Sequence, residues 1–544
     1  MQKNLTDLAE TESGHVKEAA PVSWREDVVT GIILFLFYFM GGAYIDLYRG
    51  YLPGDAISRL VSAWLVTQGT VAKVSSIGFV WPPIPTLLLI PWASIPGLFQ
   101  NWMAVVVVSA MSMSIACVMV GHIASICRIT KWWRRAIVFL FAANPLVVMF
   151  GINGMSEAIL MATTLIAMYW LIQFWQTGRN THLIFAAAFF GLLPMIRYEF
   201  VLITGWSGVL ILVLIWEKRH QFTREKFGQF LEGILLAYTS LAIYPTFLWI
   251  VASWFIMGNP LYFLLDSRSA TNLAVIQISD FGIITTPMNS FRITFGIWLW
   301  AFPLELIATA ALILLGWRKK SNFLIGLGLM PLLVPALQFL LLVRRSGVPL
   351  LRYFVMVVPL GLLVTMVFLF VFSGVINRYR WGQTSVMAVF ILLLFGSNIM
   401  SAVQLDQYPY QSIEAPTWQA MTGKNIQPNP RVSEAYAIGE LLVKTIPAGS
   451  KVLMDTNVTG FAILLGANTH SIFMDFSDPN YDAALLNPVG YVDYILVPEP
   501  IQQNEFYSVN MVQKSLYANG ARWAELVNVL PETIDRWKLY KVLK

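Results

Sequence analysis

Apolar runs of about twenty residues recur along roughly the first 400 positions, and each is long enough to cross a bilayer as a helix. No other feature restricts the chain as much. Backbone inside hydrocarbon must satisfy its own hydrogen bonds, which leaves helical spans or a closed barrel. Unbroken apolar runs of this length are helical, because barrel strands alternate and are half as long. Composition agrees: 57% of the 544 residues are hydrophobic and 12% are charged, against about 25% charged in soluble proteins.

The sequence predicts eleven spans, at about 28–46, 102–126, 136–151, 157–175, 182–196, 199–216, 231–256, 293–315, 323–343, 353–373 and 384–402. Charge placement tests that count. With a cytoplasmic N-terminus, the inner connections hold Arg128, Lys131, Arg134 and Arg135; Arg179; Lys218, Arg219, Arg224 and Lys226; Arg318, Lys319 and Lys320; and Arg378 and Arg380. The longer outer connections hold fewer basic residues, nine in all. Residues 82–98, PPIPTLLLIPWASIPGL, are apolar but contain five prolines, each of which breaks or bends a helix. They read as a re-entrant or interfacial segment on the outer side. Within the same loop, Ile57, Leu60, Val61, Trp64 and Leu65 recur at helical spacing, as in an amphipathic surface helix with Asp55 at its start as N-cap.

The expected organisation is a cytoplasmic tail (1–27), a transmembrane body (28–402) with a long first outer loop (46–101), and a small extracytoplasmic α/β domain (403–544). In the last, Arg431 to Ile446 reads as a helix and a helical stretch lies near Phe461; Lys451–Asp455, Ser471–Met474, Val492–Val497 and Trp537–Val542 read as strands. The first 27 residues lack a basic n-region, an apolar core and a cleavage site, so no signal peptide is expected and the first span acts as an anchor. The net charge of +6 sits in short loops, where it sets topology and meets anionic membrane lipids; it does not indicate nucleic acid. Cys117 and Cys127 lie in or beside one span, so no disulfide framework holds the tail. His15, His122, His182, His220 and His470 are scattered and form no metal signature.

Charged groups near a membrane are costly and mark function. On the outer face these are Asp55, with Asp46 before it and Arg59 one turn after it; Glu157 at the start of a span; Arg197, Tyr198 and Glu199 in RYEF; and Arg344, Arg345, Arg352 and Tyr353 in RRSGVPLLRYF. A weaker pair is Asp266 and Arg268. Each has a structural alternative: Asp55 caps its helix and pairs with Arg59, Glu157 complements a helix dipole, Arg197 and Glu199 form a local ion pair, and the arginines hold lipid headgroups. A fixed carboxylate beside an arginine set suits a lipid phosphate donor and a hydroxyl acceptor, the carboxylate taking a proton and guanidinium forks stabilising the departing phosphate.

GDAISRLVSAWLVTQG, the WPPIP that follows it, RYE between two middle spans and LRYF near the tenth resemble the GT-C superfamily of membrane glycosyltransferases. In style they are similar to bacterial relatives of the protein O-mannosyltransferases (glycosyltransferase family 39) and to the lipid A aminoarabinose transferase. The tail beginning at IPAGSKVLMD is similar to the extracytoplasmic tails of such enzymes. The resemblance implies a polytopic α-helical GT-C-like body, a polyprenyl-phosphate sugar as donor, a glycan, lipid or protein acceptor, inversion at the anomeric carbon and Asp55 as base. It further implies Arg344, Arg345 and Arg352 on the lipid phosphate and Arg197 and Glu199 in the same cavity. Many members place two acidic residues side by side in the first loop. Here Ala56 follows Asp55, so a partner carboxylate is Asp46 or comes from elsewhere; this weakens the case for metal dependence, and a divalent metal stays open as a cofactor without an assigned set of oxygen ligands. The rival classes are a transporter or lipid flippase, which would show internal repeats and midplane sites, and a non-catalytic scaffold, which would need neither Asp55 nor the outer arginines.

Overall fold

The computed structural model describes residues 23–543, apart from 69–73, 222, 266–268, 270–273, 276, 280, 377–381, 408–413, 425–429, 455–462, 464–471, 475–477, 479, 501–507 and 530–536. Tail residues 1–22 (with His15), Asp266 and Arg268, Arg378 and Arg380, the stretch near Phe461 and His470 lie outside the described residues.

Among the described residues, eight helices are long and apolar enough to cross a membrane: Trp24–Tyr48, Met103–Ile126, Glu157–Thr177, Tyr198–Glu217, Arg224–Met257, Asn322–Val343, Leu351–Ser373 and Thr384–Gln407. Two more spans are broken. Lys131–Ala142 and Pro145–Ile152 meet at 63°, and Pro287–Ala301 and Pro303–Lys319 meet at 93°. That makes ten if each broken pair is one span. The span expected at 182–196 is the 13-residue helix Asn180–Leu192, shorter than the roughly 20 residues of a perpendicular crossing. The segments 136–151 and 293–315 are not continuous, because Pro145 and Pro303 lack the N–H that would carry the ladder across.

Each break frees backbone carbonyls, and side chains from other helices take them up. Tyr38 donates its hydroxyl to Ala142 O at 2.8 Å, and Asn398 Nδ2 donates to Leu140 O at 2.8 Å. At the second break Ser401 Oγ donates to Ala301 O at 2.6 Å and Gln404 Nε2 to Ile297 O at 3.0 Å. The polar residues of helix Thr384–Gln407 thus close both broken spans.

Contacts between helix ends gather the basic connections at one end of the body. Glu26 meets Lys131 and Arg135, Gln176 Nε2 donates to Ile126 O, Arg128 stacks on Phe370, Lys319 donates to Val371 O, and Ser321 and Phe323 donate to Glu217.

In the proline-rich stretch, expected as a re-entrant or interfacial segment whose prolines break or bend a helix, Ile84–Ala93 is a helix of ten residues. Pro85 falls in its first turn, where no donor is needed, and only Pro91 interrupts the ladder. At about 15 Å it does not reach across a bilayer.

The C-terminal part carries a five-stranded sheet of order β2-β1-β3-β5-β4, with β1 Lys451–Met454, β2 Ile472–Met474, β3 Tyr494–Pro498, β4 Ala524–Val529 and β5 Trp537–Val542. β1 runs parallel to β2 and β3, and β5 antiparallel to β3 and β4. Helix Pro430–Thr445 precedes it, as expected.

Candidate active site

Asp55 lies in the first turn of helix Gly54–Gln68. Gly154 seats the next helix beside it. Its φ of +74° is open to glycine, and a Cβ there would lie 2.7 Å from Val105 and 3.2 Å from the Ala56 Cβ. The chain then enters helix Glu157–Thr177, with the Glu157 side chain fully buried in its first turn, where the helix dipole favours an anion. Between helices Asn180–Leu192 and Val201–Glu217 the backbone is extended at Arg197 and turns over Tyr198–Phe200, which aims Arg197 back at Glu157. Arg352 and Tyr353 share the short 3-10 turn Leu351–Tyr353 ahead of the next span.

These turns assemble one network. Arg352 Nη1 donates to Asp55 Oδ2 at 2.7 Å and Nη2 to the Tyr353 hydroxyl at 3.3 Å. Arg197 Nη1 donates to Glu157 Oε1, and its Nε to Glu199 Oε1 at 2.6 Å. The Tyr353 ring lies under both guanidinium groups, 4.9 Å from that of Arg197 and 5.1 Å from that of Arg352. Arg59 does not form the local bridge to Asp55 that was the structural alternative, and Asp55 Oδ2 goes to Arg352. Arg59 stacks on Trp81 at 5.3 Å, and its buried Nε and Nη1 have no partner among the described residues. Glu157 Oε2 and Arg352 Nε are also buried and unpartnered. Asp55 is the accessible acid of the set, its side chain 36% exposed against 0% for Glu157 and 23% for Glu199.

Burial pushes the Asp55 carboxyl up, but the charge and hydrogen bond of Arg352, followed by the charges of Arg59 and Arg197, outweigh it and hold the group below the usual carboxylate range. Burial lowers Arg59, against the pull of Asp55 and Glu157. Arg197 is raised, because Glu199 and Glu157 together exceed its desolvation.

Three expected members are elsewhere. Asp46 sits in a π-helical turn, Tyr44–Tyr48, buried, with Oδ2 unpartnered and no ion pair to the network. Arg344 and Arg345 are exposed in the loop after Val343, where Arg345 adopts a left-handed conformation (φ 58°) and its Nε donates to Thr285 Oγ1. Two contributors carry no local sequence signal. Glu414 accepts the Arg352 backbone N–H at 2.9 Å from the start of helix Glu414–Met421. Trp81 belongs to the quoted WPPIP, but spacing gives no sign that it backs Arg59. Among the described residues, no three His, Cys, Asp or Glu side chains group to hold a metal ion. Asp55, Glu157 and Glu199 each face arginine, so the donors present do not fit a divalent cation.

No family model and no curated protein matches the chain in sequence. Solved structures do. ArnT from Cupriavidus metallidurans bound to undecaprenyl phosphate superposes with a TM-score of 0.56 at 12% identity, over 95% of this chain and 98% of ArnT. The apo state of the same protein gives 0.53 at 12% identity, over 94% and 98%. The chain therefore has the fold of ArnT, the GT-C-like architecture that its motifs resemble, across nearly its whole length.

Proposed function

We propose that the protein is a membrane glycosyltransferase that moves a sugar from a polyprenyl-phosphate donor to a hydroxyl acceptor at the Asp55 site. The observation that carries this is the pairing of an accessible, ionised Asp55 with the Arg352 guanidinium, beside an Arg59 whose buried donors are unsatisfied. A buried cation with free donors calls for an anion, and a lipid phosphate supplies one. The fold shared with ArnT, a structure of which is bound to undecaprenyl phosphate, supports the same donor class.

In the proposed reaction the Asp55 carboxylate accepts the acceptor's O–H proton. The freed oxygen attacks the anomeric carbon while the bond from that carbon to the phosphate oxygen breaks. The polyprenyl phosphate leaves with the electron pair, and its new charge falls to Arg352 and Arg59. One displacement inverts the anomeric configuration. The Asp55–Arg352 pair gives this an order: a donor phosphate drawing on Arg352 loosens its hold on Asp55 and frees the base once the donor is in place. Glu157 and Glu199 fix Arg197, and Tyr353 spaces the two guanidinium groups.

The basic end that gathers Lys131, Arg135, Arg219 and Lys319 supports a cytoplasmic N-terminus, with the Asp55 site and the C-terminal α/β domain outside, a plasma membrane being the proposed location if the host is bacterial. Exposed Trp24, Trp132 and Trp216 with their stacked arginines mark that interface.

The test is turnover of labelled polyprenyl-phosphate sugars with a membrane extract as acceptor, by wild type and Asp55→Asn. Wild-type turnover, with Asp55→Asn binding the donor but not consuming it, is expected. Equal turnover would remove Asp55 from the chemistry. No binding or turnover of any lipid sugar by wild type would favour a transporter.

A further inference from the structure

The end of the body opposite Asp55 carries charges that sugar transfer does not use. Glu26 and Asp27 lie in the first turn of helix Trp24–Ala43, whose twenty residues span about 30 Å at 1.5 Å each. They are a membrane thickness from the transfer site. Between this helix, Met103–Ile126 and Lys131–Ala142 lies a cavity of about 190 Å³. Part of its wall is apolar, including Ile33, Val118, Val138 and Phe139. Ile33 and Phe139 are 61% and 70% exposed, so the cavity opens sideways to lipid.

The wall also carries the charged residues Glu26, Asp27, Arg134 and Arg135, with Lys131 and His122 as their neighbours. The Glu26 carboxylate receives Arg135 Nε at 3.0 Å and stands 3.5 Å from Lys131 Nζ and 3.6 Å from Arg134 Nη2, while Asp27 meets His122 Nε2 at 3.1 Å. Arg134 is only 4% exposed, a buried cation within the cavity wall. Among the described residues, three permanent cations thus converge on the one carboxylate of Glu26, while Asp27 faces His122.

We propose that this cavity binds a glycerophospholipid of the surrounding bilayer whose headgroup is monoanionic, a phosphodiester carrying no ammonium, such as phosphatidylglycerol. An acyl chain lies along Val118, Val138 and Phe139, and the phosphodiester meets Arg135 and Lys131, whose side chains are 48% and 54% exposed and within reach of a headgroup. Guanidinium forks match phosphate oxygens. A zwitterionic lipid would add an ammonium beside cations that already converge on one carboxylate.

The full chain, delipidated in detergent, is titrated with phosphatidylglycerol, phosphatidylethanolamine and phosphatidylcholine of identical acyl chains, and bound lipid is counted by native mass spectrometry. Phosphatidylglycerol is retained at least about fivefold more tightly than phosphatidylcholine, since one basic residue near a headgroup is worth about that much. Arg135→Gln removes the preference, Val138→Trp lowers retention of all three lipids by filling the apolar wall, and Arg318→Gln, an exposed arginine elsewhere, leaves binding unchanged. Lys131→Gln repeats the test where Arg135→Gln reduces the yield of folded protein. Equal retention of the three lipids, wild-type retention in the Arg135, Lys131 or Val138 variants, or an equal loss in Arg318→Gln overturns the proposal.

Discussion

Replacing Arg352 by glutamine separates the two forces that set the Asp55 carboxyl. Desolvation raises it, and guanidinium charge lowers it by more. Without Arg352, desolvation acts against Arg59 and Arg197 alone, and the carboxyl moves up. Opposite charges about 4 Å apart are worth about 4 kcal/mol at an effective dielectric of 20. Asp55 is 36% exposed, so solvent screens much of this and about 1–2 kcal/mol is left. That corresponds to about one pH unit. The sign follows from the direction of the shift. A depressed carboxyl is an available base at every pH above its folded pKa and is lost as pH falls through that value. Any stability it contributes disappears over the same acid range. In Arg352→Gln the loss comes at higher pH. The assay is kcat/KM for sugar transfer from the lipid donor, followed from neutral pH into the acid range. The acid limb rises by about one unit, on top of a lower rate at neutral pH, and Arg352→Lys shifts it less because a charge is kept. An acid limb at the wild-type pH in Arg352→Gln would refute the reasoning, since Arg352 would then not be what holds the titrating group.

Two further predictions concern the supports of the site and the bundle. Glu157→Ala removes the fully buried partner of Arg197; with Glu199 still in contact, the loss is about 3 kcal/mol, the low end for a broken buried pair, and an unchanged melting temperature in detergent would show that Glu199 suffices. Gly361→Leu puts a Cβ 2.7 Å from that of Glu305 and within 2.9 Å of Phe302, beside the second broken span, and costs about 1–3 kcal/mol by overpacking. Gly396→Ala, with open space around it, serves as the comparison and melts as wild type does.

The spans were legible because membrane crossing depends on length and apolar content, both of which are local. The breaks at Asn144–Pro145 and Phe302–Pro303 were visible as prolines but were absorbed into continuous apolar runs, because composition does not record a bend. Strand β4 was missed for a related reason. It is an edge strand with Leu526, Val527 and Val529 exposed, so burial imposes no alternating pattern on it. In the site, the individual acids and arginines stood out as charges beside membrane, but their partners did not. Asp55 and Arg352 are 297 positions apart, and Arg59, one turn from Asp55, was the nearer candidate. Nothing in LRYF or RRSGV says that Arg352 turns inward while Arg344 and Arg345 stay exposed. That depends on the turn at Leu351–Tyr353 and on Glu414 holding the Arg352 backbone.

The polar stripe Asn398, Ser401, Gln404 on helix Thr384–Gln407 sharpens the choice between transfer and transport. Broken spans and polar residues at membrane depth are what a transporter uses to build a midplane site, with unwound carbonyls turned toward the substrate. Here the carbonyls beside the breaks at Leu140, Ala301 and Ile297 are already bonded by Asn398, Ser401 and Gln404, and Ala142 by Tyr38. Asn144 Nδ2 in turn donates to Asn398 Oδ1 at 2.8 Å. The donors of the stripe are therefore taken up by the two bends, while Gln404 Oε1 and Glu305 Oε1 beside the second bend are buried without a partner among the described residues. The uncommitted donors that matter for an anionic substrate are on Arg59 and Arg352, at the end of the body, beside the one accessible carboxylate of the network. A carrier needs its polar groups free at the centre and two ways out. A transferase needs a charged pocket at one face, and Asp55, Arg352 and Arg59 bring the charges of such a pocket together.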